Sequence, residues 1–284
     1  MKVFYPMLLA SAVSFGAIGI AAPAQDKTPR ATDTSSDRPK GLDQIIDSTY
    51  KLKNVVDLHA DIYPVNSTTL IGEGTGHSIH YASCFGIANT ASGTYLLTSA
   101  HVTKDGEEHV QPHPLGVARV RAVAQHLSII RVRNGVETEV CTLEEIARDG
   151  DNDISLLFAK DTALETYGKF IKPDQVKLGD TAYTIGFPHR DAGSFGKTLH
   201  RGIVSCIDSD LNYDKWKFID STLDPGMSGG PTLVQANGRV YILGVNSIQF
   251  DINVLRNTFG AARNIIPFLL KQDNGTDLLG WKMY

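Results

Sequence analysis

Short apolar runs rich in β-branched and aromatic residues recur along this chain, each bounded by glycine, proline, asparagine or aspartate. They cover residues 54–62, 83–88, 94–99, 118–122, 128–133, 154–159, 181–186, 202–207, 217–221, 231–235 and 240–245. Such spacing predicts strands joined by tight turns, as in an all-β barrel or sandwich. Asn237-Gly238 separates the last two runs and predicts a hairpin turn, since both residues accept positive φ. Helical periodicity surfaces near the end, where Ala262, Ile265, Ile266, Leu269 and Leu270 predict a helix over 259–271. Pro267 moves its regular start toward Asn264. A shorter helix is expected within Leu42 to Leu52, ahead of the first strand.

The amino-terminal pattern is of another kind. Lys2, an apolar and small stretch from Met7 to Ala22, and the small-x-small triplet Ala22-Pro23-Ala24 predict a signal peptide over 1–24. The stretch is rich in Ala, Ser and Gly for a membrane span of ~20 apolar residues, so no stable membrane insertion is expected after cleavage. Residues 25–53 begin with a Thr-, Ser-, Asp-, Lys- and Pro-rich segment and read as a polar leader or pro-segment. The remaining 260 residues, 25–284, have the size of one compact folded unit. A net charge of −4 over 284 residues is small and gives no reason to expect nucleic acid or an anionic membrane as partner. Cys84, Cys141 and Cys206 permit at most one intramolecular disulfide and leave its pairing open.

The chemistry concentrates in Gly226-Met227-Ser228-Gly229-Gly230-Pro231. A serine among glycines presents its hydroxyl on a backbone free to take positive φ, with no Cβ to obstruct a substrate carbonyl. The segment also fits the G-x-S-x-G elbow, whose triad order is Ser, acid, His. No histidine follows His200, so that order is excluded and the base lies upstream. The run Tyr95 to Ser99 leads through Ala100 into His101, which places that histidine at a strand end. Asp153 opens the apolar strand Ile154-Ser155-Leu156-Leu157-Phe158, where a carboxylate can be buried and still accept hydrogen bonds. Asp149 and Asp151 lie near it but do not precede the strand directly. An Asp, His, Ser order using Asp57 or Asp61 lacks both a glycine after its histidine and α/β alternation.

Thr98-Ser99-Ala100-His101, Asp153-Ile154-Ser155-Leu156-Leu157 and Gly226 to Pro231 together resemble the three signature segments of trypsin-like serine peptidases, in the same order. Leu178-Gly179-Asp180, Ile185-Gly186-Phe187-Pro188, Arg201 to Ser205 and Gly244 to Ser247 extend the likeness over about 54–271, most of all to bacterial Deg-type proteases and glutamyl endopeptidases. The resemblance implies two packed six-stranded antiparallel β-barrels of chymotrypsin-like fold, about 54–160 and 175–258, within a peptidase domain over 54–284, with a terminal helix beside the second barrel. It implies that Ser228 is the nucleophile, His101 the general base and Asp153 its orienter, and that the amides of Gly226 and Ser228 form an oxyanion hole. The expected activity is hydrolysis of protein or peptide substrates through an acyl-enzyme, without a cofactor, in a secreted or periplasmic setting. The competing reading is a silent or latent barrel pair that binds polypeptides.

Departures from the family pattern refine this. Met227 stands where digestive zymogens carry an aspartate, so activation by an inserted amino terminus is not expected. Thr222 occupies the position of trypsin's pocket aspartate, which removes a preference for Lys or Arg. Thr222, Asn246 and Gln249 are expected to line an uncharged substrate pocket, with His189 at its rim. His77 with His80, and His109 with His113, form metal-like pairs in segments read as polar loops, without partners at ligand spacing, so no metal is expected. Only Gln272 to Tyr284 follow the expected helix, too few for a peptide-binding PDZ domain, and the oligomeric state is left open.

Overall fold

The predicted alternation resolves into two rings of antiparallel strands. The structure, a computed structural model, describes residues 38–103, 109–172, 175–190, 193–194, 196–206, 216–251 and 258–264. The signal segment 1–24 and the leader as far as residue 37 lie outside them. Helix α1 (Leu42–Asp47) leads into β1 (Thr49–Tyr63), β2 (Gly72–Thr90), β3 (Gly93–Thr98), the single turn α2 (Ala100–Thr103), β4 (His109–His113), β5 (Gly116–Arg133), β6 (Val136–Asp149) and β7 (Ile154–Lys160). Their ladder runs β1-β2-β3-β7-β6-β5 and returns to β1 through the β1–β5 pairing, with β4 alongside the start of β5. The second half holds β8 (Thr181–Gly186), the two-residue rungs β9 (His189–Arg190) and β10 (Gly193–Ser194), β11 (Thr198–Cys206), β12 (Trp216–Ile219), β13 (Pro231–Ala236), β14 (Arg239–Asp251) and β15 (Thr258–Asn264). Its barrel closes in the order β11-β12-β15-β14-β13-β8. The expected pair of six-stranded antiparallel barrels is the observed architecture.

The hairpin turn at Asn237-Gly238 is present, with φ of 51° and 71°, and the same device at Asn134-Gly135 turns β5 into β6. Three expectations are corrected. Residues 258–264 form a strand where a helix was expected, because β12 and β14 each present an edge whose backbone groups β15 satisfies on both sides; residues 265–271 lie outside the described residues. The runs 118–122 and 128–133 belong to the single strand β5. Strand β1 begins at Thr49 and so takes in the last residues of the expected leader. Strand β6 was not foreseen, since Leu143 is its one buried side chain and β6 owes its place to backbone pairing with β5 and β7.

Among the described residues, apolar side chains gather in three clusters. One fills the first ring around Leu52, Cys84, Leu96, Leu127, Ile129 and Leu157. Another fills the second around Ala182, Val204, Ile219, Val234 and Leu243. The remaining cluster joins Phe85, Leu97, Ile154 and Leu156 of the first half to Ile185, Leu233, Ile242 and Val245 of the second, with Leu42 and Ile45 of α1. Tyr167 lies within it, and its hydroxyl donates to the carbonyl of Val240. This seam aligns the strand ends that carry the candidate site. Phe85 is fully buried in it, so Phe85→Ala should lower unfolding free energy by about 3–5 kcal/mol in denaturant titrations.

Candidate active site

Ser228 sits in the turn between β12 and β13, where Gly226 and Gly229 have φ of 91° and 85°. Glycine reaches this region without steric cost, and packing demands it twice over. A Cβ at Gly229 would collide with the Ser83 carbonyl and the Thr98 hydroxyl, and one at Gly226 would come within 2.7 Å of the His189 amide nitrogen. The first barrel grips this loop through Ser83. Its amide donates to the Ser228 carbonyl at 2.8 Å, its hydroxyl donates to the Gly226 carbonyl at 2.8 Å, and the Phe187 amide donates to that hydroxyl at 2.9 Å. Beneath the loop Met227 is fully buried. Among the described residues, the amides of Gly226 and Ser228 donate to no protein acceptor.

His101 lies in α2, the turn that follows β3, and Asp153 immediately precedes β7 with φ of 53°. The carboxylate accepts the His101 backbone amide at 2.8 Å on Oδ1. The ring Nδ1 lies 2.8 Å from Oδ2 and 3.1 Å from Oδ1. Ser247 adds a hydroxyl donated to Oδ2. Burial raises the Asp153 pKa, but the bonds and charge of His101 and the Ser247 hydroxyl outweigh it and hold the carboxyl below its ordinary value. The side chains of His101 and Asp153 are 47% and 15% exposed, so the imidazole keeps a solvent-facing side while its orienting contact is covered. Helix α2 is itself held in place. Asn54 donates to the Val102 carbonyl at 2.8 Å and Gln125 to that of Thr103 at 2.9 Å. Glu145 accepts from Thr103 at 2.8 Å, from Ser155 and from Arg148. Burial opposes ionisation of Glu145 as well, and those donors overcome it and lower its pKa.

The two halves of the site meet on one atom. The Asn246 carbonyl accepts the Gly229 amide at 2.8 Å and the Ser99 hydroxyl at 2.7 Å, which brings together the neighbours of Ser228 and His101. Among the described residues no hydrogen bond joins the Ser228 hydroxyl to His101. Thr222 is exposed in the loop ahead of Ser228. As a pocket-lining residue Asn246 is corrected: its side chain has no accessible surface. It donates to the carbonyls of Ile185 at 3.0 Å and Met227 at 3.2 Å and accepts from Thr232 at 2.5 Å. It underpins the loop from below and presents nothing to a substrate. The His189 ring packs against Tyr81, ring centroids 4.7 Å apart and planes tilted by 39°, and its amide donates to the Pro225 carbonyl at 2.7 Å, at the edge of the same loop. The Gln249 side chain lies outside the described residues.

Asp149 is occupied in its own turn, accepting from the Asn152 amide at 3.0 Å. Cys84 and Cys141 are free thiols, and burial pushes the pKa of Cys84 upward; the Cys206 side chain is outside the described residues. His77 and His80 lie in β2 and His109 and His113 in β4, strands where loops were expected. Sequence reasoning missed Ser83, Glu145 and Ser247. Ser247 alone left a signal, since it closes the Gly244 to Ser247 segment already matched to the family pattern.

A family model described as trypsin-like peptidase domain matches residues 82–244, more than half of the chain. A probable periplasmic serine endoprotease DegP-like of Rhizobium meliloti is 24% identical over 196 residues, covering 66% of this chain and 33% of that protein. Its counterpart from Bartonella henselae is 27% identical over 164 residues, covering 57% and 27%. The chain thus spans about a third or less of the length of these relatives. Among solved structures, the HtrA-type protease AlgW with decapeptide matches at 20% identity and a TM-score of 0.52, covering 82% of this chain and 66% of that one. A serine-to-alanine variant of AlgW with decapeptide gives 20% identity and a TM-score of 0.53, with 82% and 65% covered. These structures share its fold.

Two outcomes test the geometry. Asn246→Ala should leave the Ile185 and Met227 carbonyls short of a donor and cost about 1–3 kcal/mol in urea unfolding. The folded carboxyl of Asp153 lies below its unfolded value of ~3.9, so its ionised form adds stability above that pH and loses it as pH falls through the folded value. The stability difference between the unaltered chain and Asp153→Asn should therefore shrink as pH falls from about 5 through the folded carboxyl's value.

Proposed function

The chain belongs to the trypsin-like peptidase domain family, and from that premise we propose that it is an exported serine endopeptidase acting through His101, Asp153 and Ser228. The observation that carries this reading is the ionised Asp153 fixed on Nδ1 of His101, beside a loop clamped so that Ser228 stands next to two amides without protein acceptors. The hydroxyl of Ser228 attacks the scissile carbonyl while Nε2 of His101 takes its proton. Asp153 holds the tautomer with hydrogen on Nδ1 and stabilises the imidazolium without itself taking the proton. The amides of Gly226 and Ser228 stabilise the oxyanion, each by roughly 3–4 kcal/mol. The imidazolium then gives its proton to the leaving amine as the carbon–nitrogen bond breaks. Water, deprotonated by His101, releases the acyl group and restores Ser228.

Thr222 offers an uncharged hydroxyl at the pocket position, so the residue before the scissile bond is small, apolar or uncharged polar. Buried Met227 supports a loop that forms without an inserted amino terminus. The signal-like start of the chain, together with relatives named periplasmic, supports export to the periplasm or beyond. Structures of HtrA-type proteases with a bound decapeptide support peptides and proteins as substrates.

A fluorophosphonate probe should label the chain at Ser228 and leave Ser228→Ala unmodified, as read by mass spectrometry. An unlabelled but folded chain would favour the polypeptide-binding reading. Asp153→Asn should lower kcat by roughly 10⁴ on a peptide found by library screening, with folding retained. A library profile dominated by Lys or Arg before the cleaved bond would reject the assigned pocket.

A further inference from the structure

The β1–β2 ladder runs without a register shift from Thr49↔Phe85 to Ile62↔Gly72. Side chains alternate along a strand, so His59 and Asp61 share one face of β1, and the register sets Asp61 opposite Glu73. Like charges directly opposed in an antiparallel pair destabilise it. Yet Nε2 of His59 lies 2.9 Å from Oδ1 of Asp61, and one ligand atom from each of His59, Asp61 and Glu73 falls within 4.8 Å of the others. Asp61 and His59 are mostly covered, with side chains 22% and 21% exposed, while Glu73 faces solvent.

We propose that His59, Asp61 and Glu73 bind a first-row divalent cation of the zinc class, at a site separate from the proteolytic centre. One imidazole nitrogen and two carboxylate oxygens form a donor set that zinc accepts, with bonds of about 2.0–2.2 Å and solvent completing the tetrahedron. An imidazole ligand disfavours calcium and magnesium, which take oxygen. Three ligands around such an ion stand roughly 3–4 Å apart, so small rotamer adjustments assemble them. The cation converts the repulsion between Asp61 and Glu73 into shared ligation.

The neighbouring charges tune the site. From β5, Arg119 faces Asp61 and Arg121 faces His59. The guanidinium of Arg119 lies over the Tyr63 ring, 5.2 Å from its centroid. Asp57 and His77 form the opposed pair beyond Thr75 on the same face. Ligation would tie β1 to β2 beside the loop 64–71 that joins them. Its effect is to stiffen the strand whose Asn54 supports α2.

The test uses the full chain as Ser228→Ala, to avoid self-digestion, stripped with a chelator. Titration with Co²⁺, followed by visible absorption, should give one bound equivalent that Zn²⁺ displaces. His59→Ala and Glu73→Gln should each weaken binding at least tenfold, whereas His101→Ala should not. Zn²⁺ should raise the melting temperature only when all three ligands are present. Glu73→Gln preserves shape at an exposed position, and circular dichroism of the metal-free protein checks its fold. Absence of Co²⁺ and Zn²⁺ binding below ~1 mM, or binding that His59→Ala and Glu73→Gln leave unchanged, overturns the proposal.

Discussion

The grip of Ser83 on the loop around Ser228 is the contact on which the candidate site depends. One buried residue of the first barrel donates twice to the Ser228 loop and accepts once from the adjoining Phe187 segment, both belonging to the second half. Buried backbone polar groups left unpaired are costly, so these bonds form together or the seam does not close. Gly229 makes the approach possible, because a side chain there would hold the Ser83 and Thr98 strands away. The apolar cluster between the barrels supplies the driving force, and the polar bonds choose the alignment.

On the opposite side of the seam, the histidine turn is held by ionised carboxylates that are partly removed from water. Asp153 and Glu145 each keep their charge against burial through donors aimed at them. Fixed partners of this kind set the orientation of the imidazole within the folded chain. Asn246 connects the two sides. Its carbonyl receives Gly229 and Ser99, and its side-chain amide supports Ile185 and Met227 from below. That arrangement explains a polar residue with no access to solvent in the middle of the fold.

The catalytic candidates were legible because each stands in a local context that states its chemistry: Ser228 among glycines, His101 at the close of an apolar run, Asp153 at the start of one. Strand positions were legible where one face is buried. Strand β6 escaped because Leu143 is its one buried side chain, leaving too little apolar alternation to read. The segment at 258–264 misled for the opposite reason, since its small and apolar residues suit helix and strand alike and two waiting edges decided between them. Ser83 and Glu145 carry no local mark, as a serine or glutamate in a strand is ordinary until its partners arrive.

Local composition determined the all-β class, the Asn-Gly turns, the order of the three candidate residues and the absence of a histidine downstream of the serine. These are properties of short windows, in which backbone freedom, burial preference and side-chain type act within a few residues. Tertiary structure alone decided which serine clamps the loop, that Asn246 is buried beneath it, and that His59, Asp61 and Glu73 stand within reach of one another. The first two depend on barrel closure, where residues far apart in the chain are brought together by backbone pairing and shared apolar surface, and the third depends on the register of the β1–β2 hairpin, which sets Asp61 opposite Glu73.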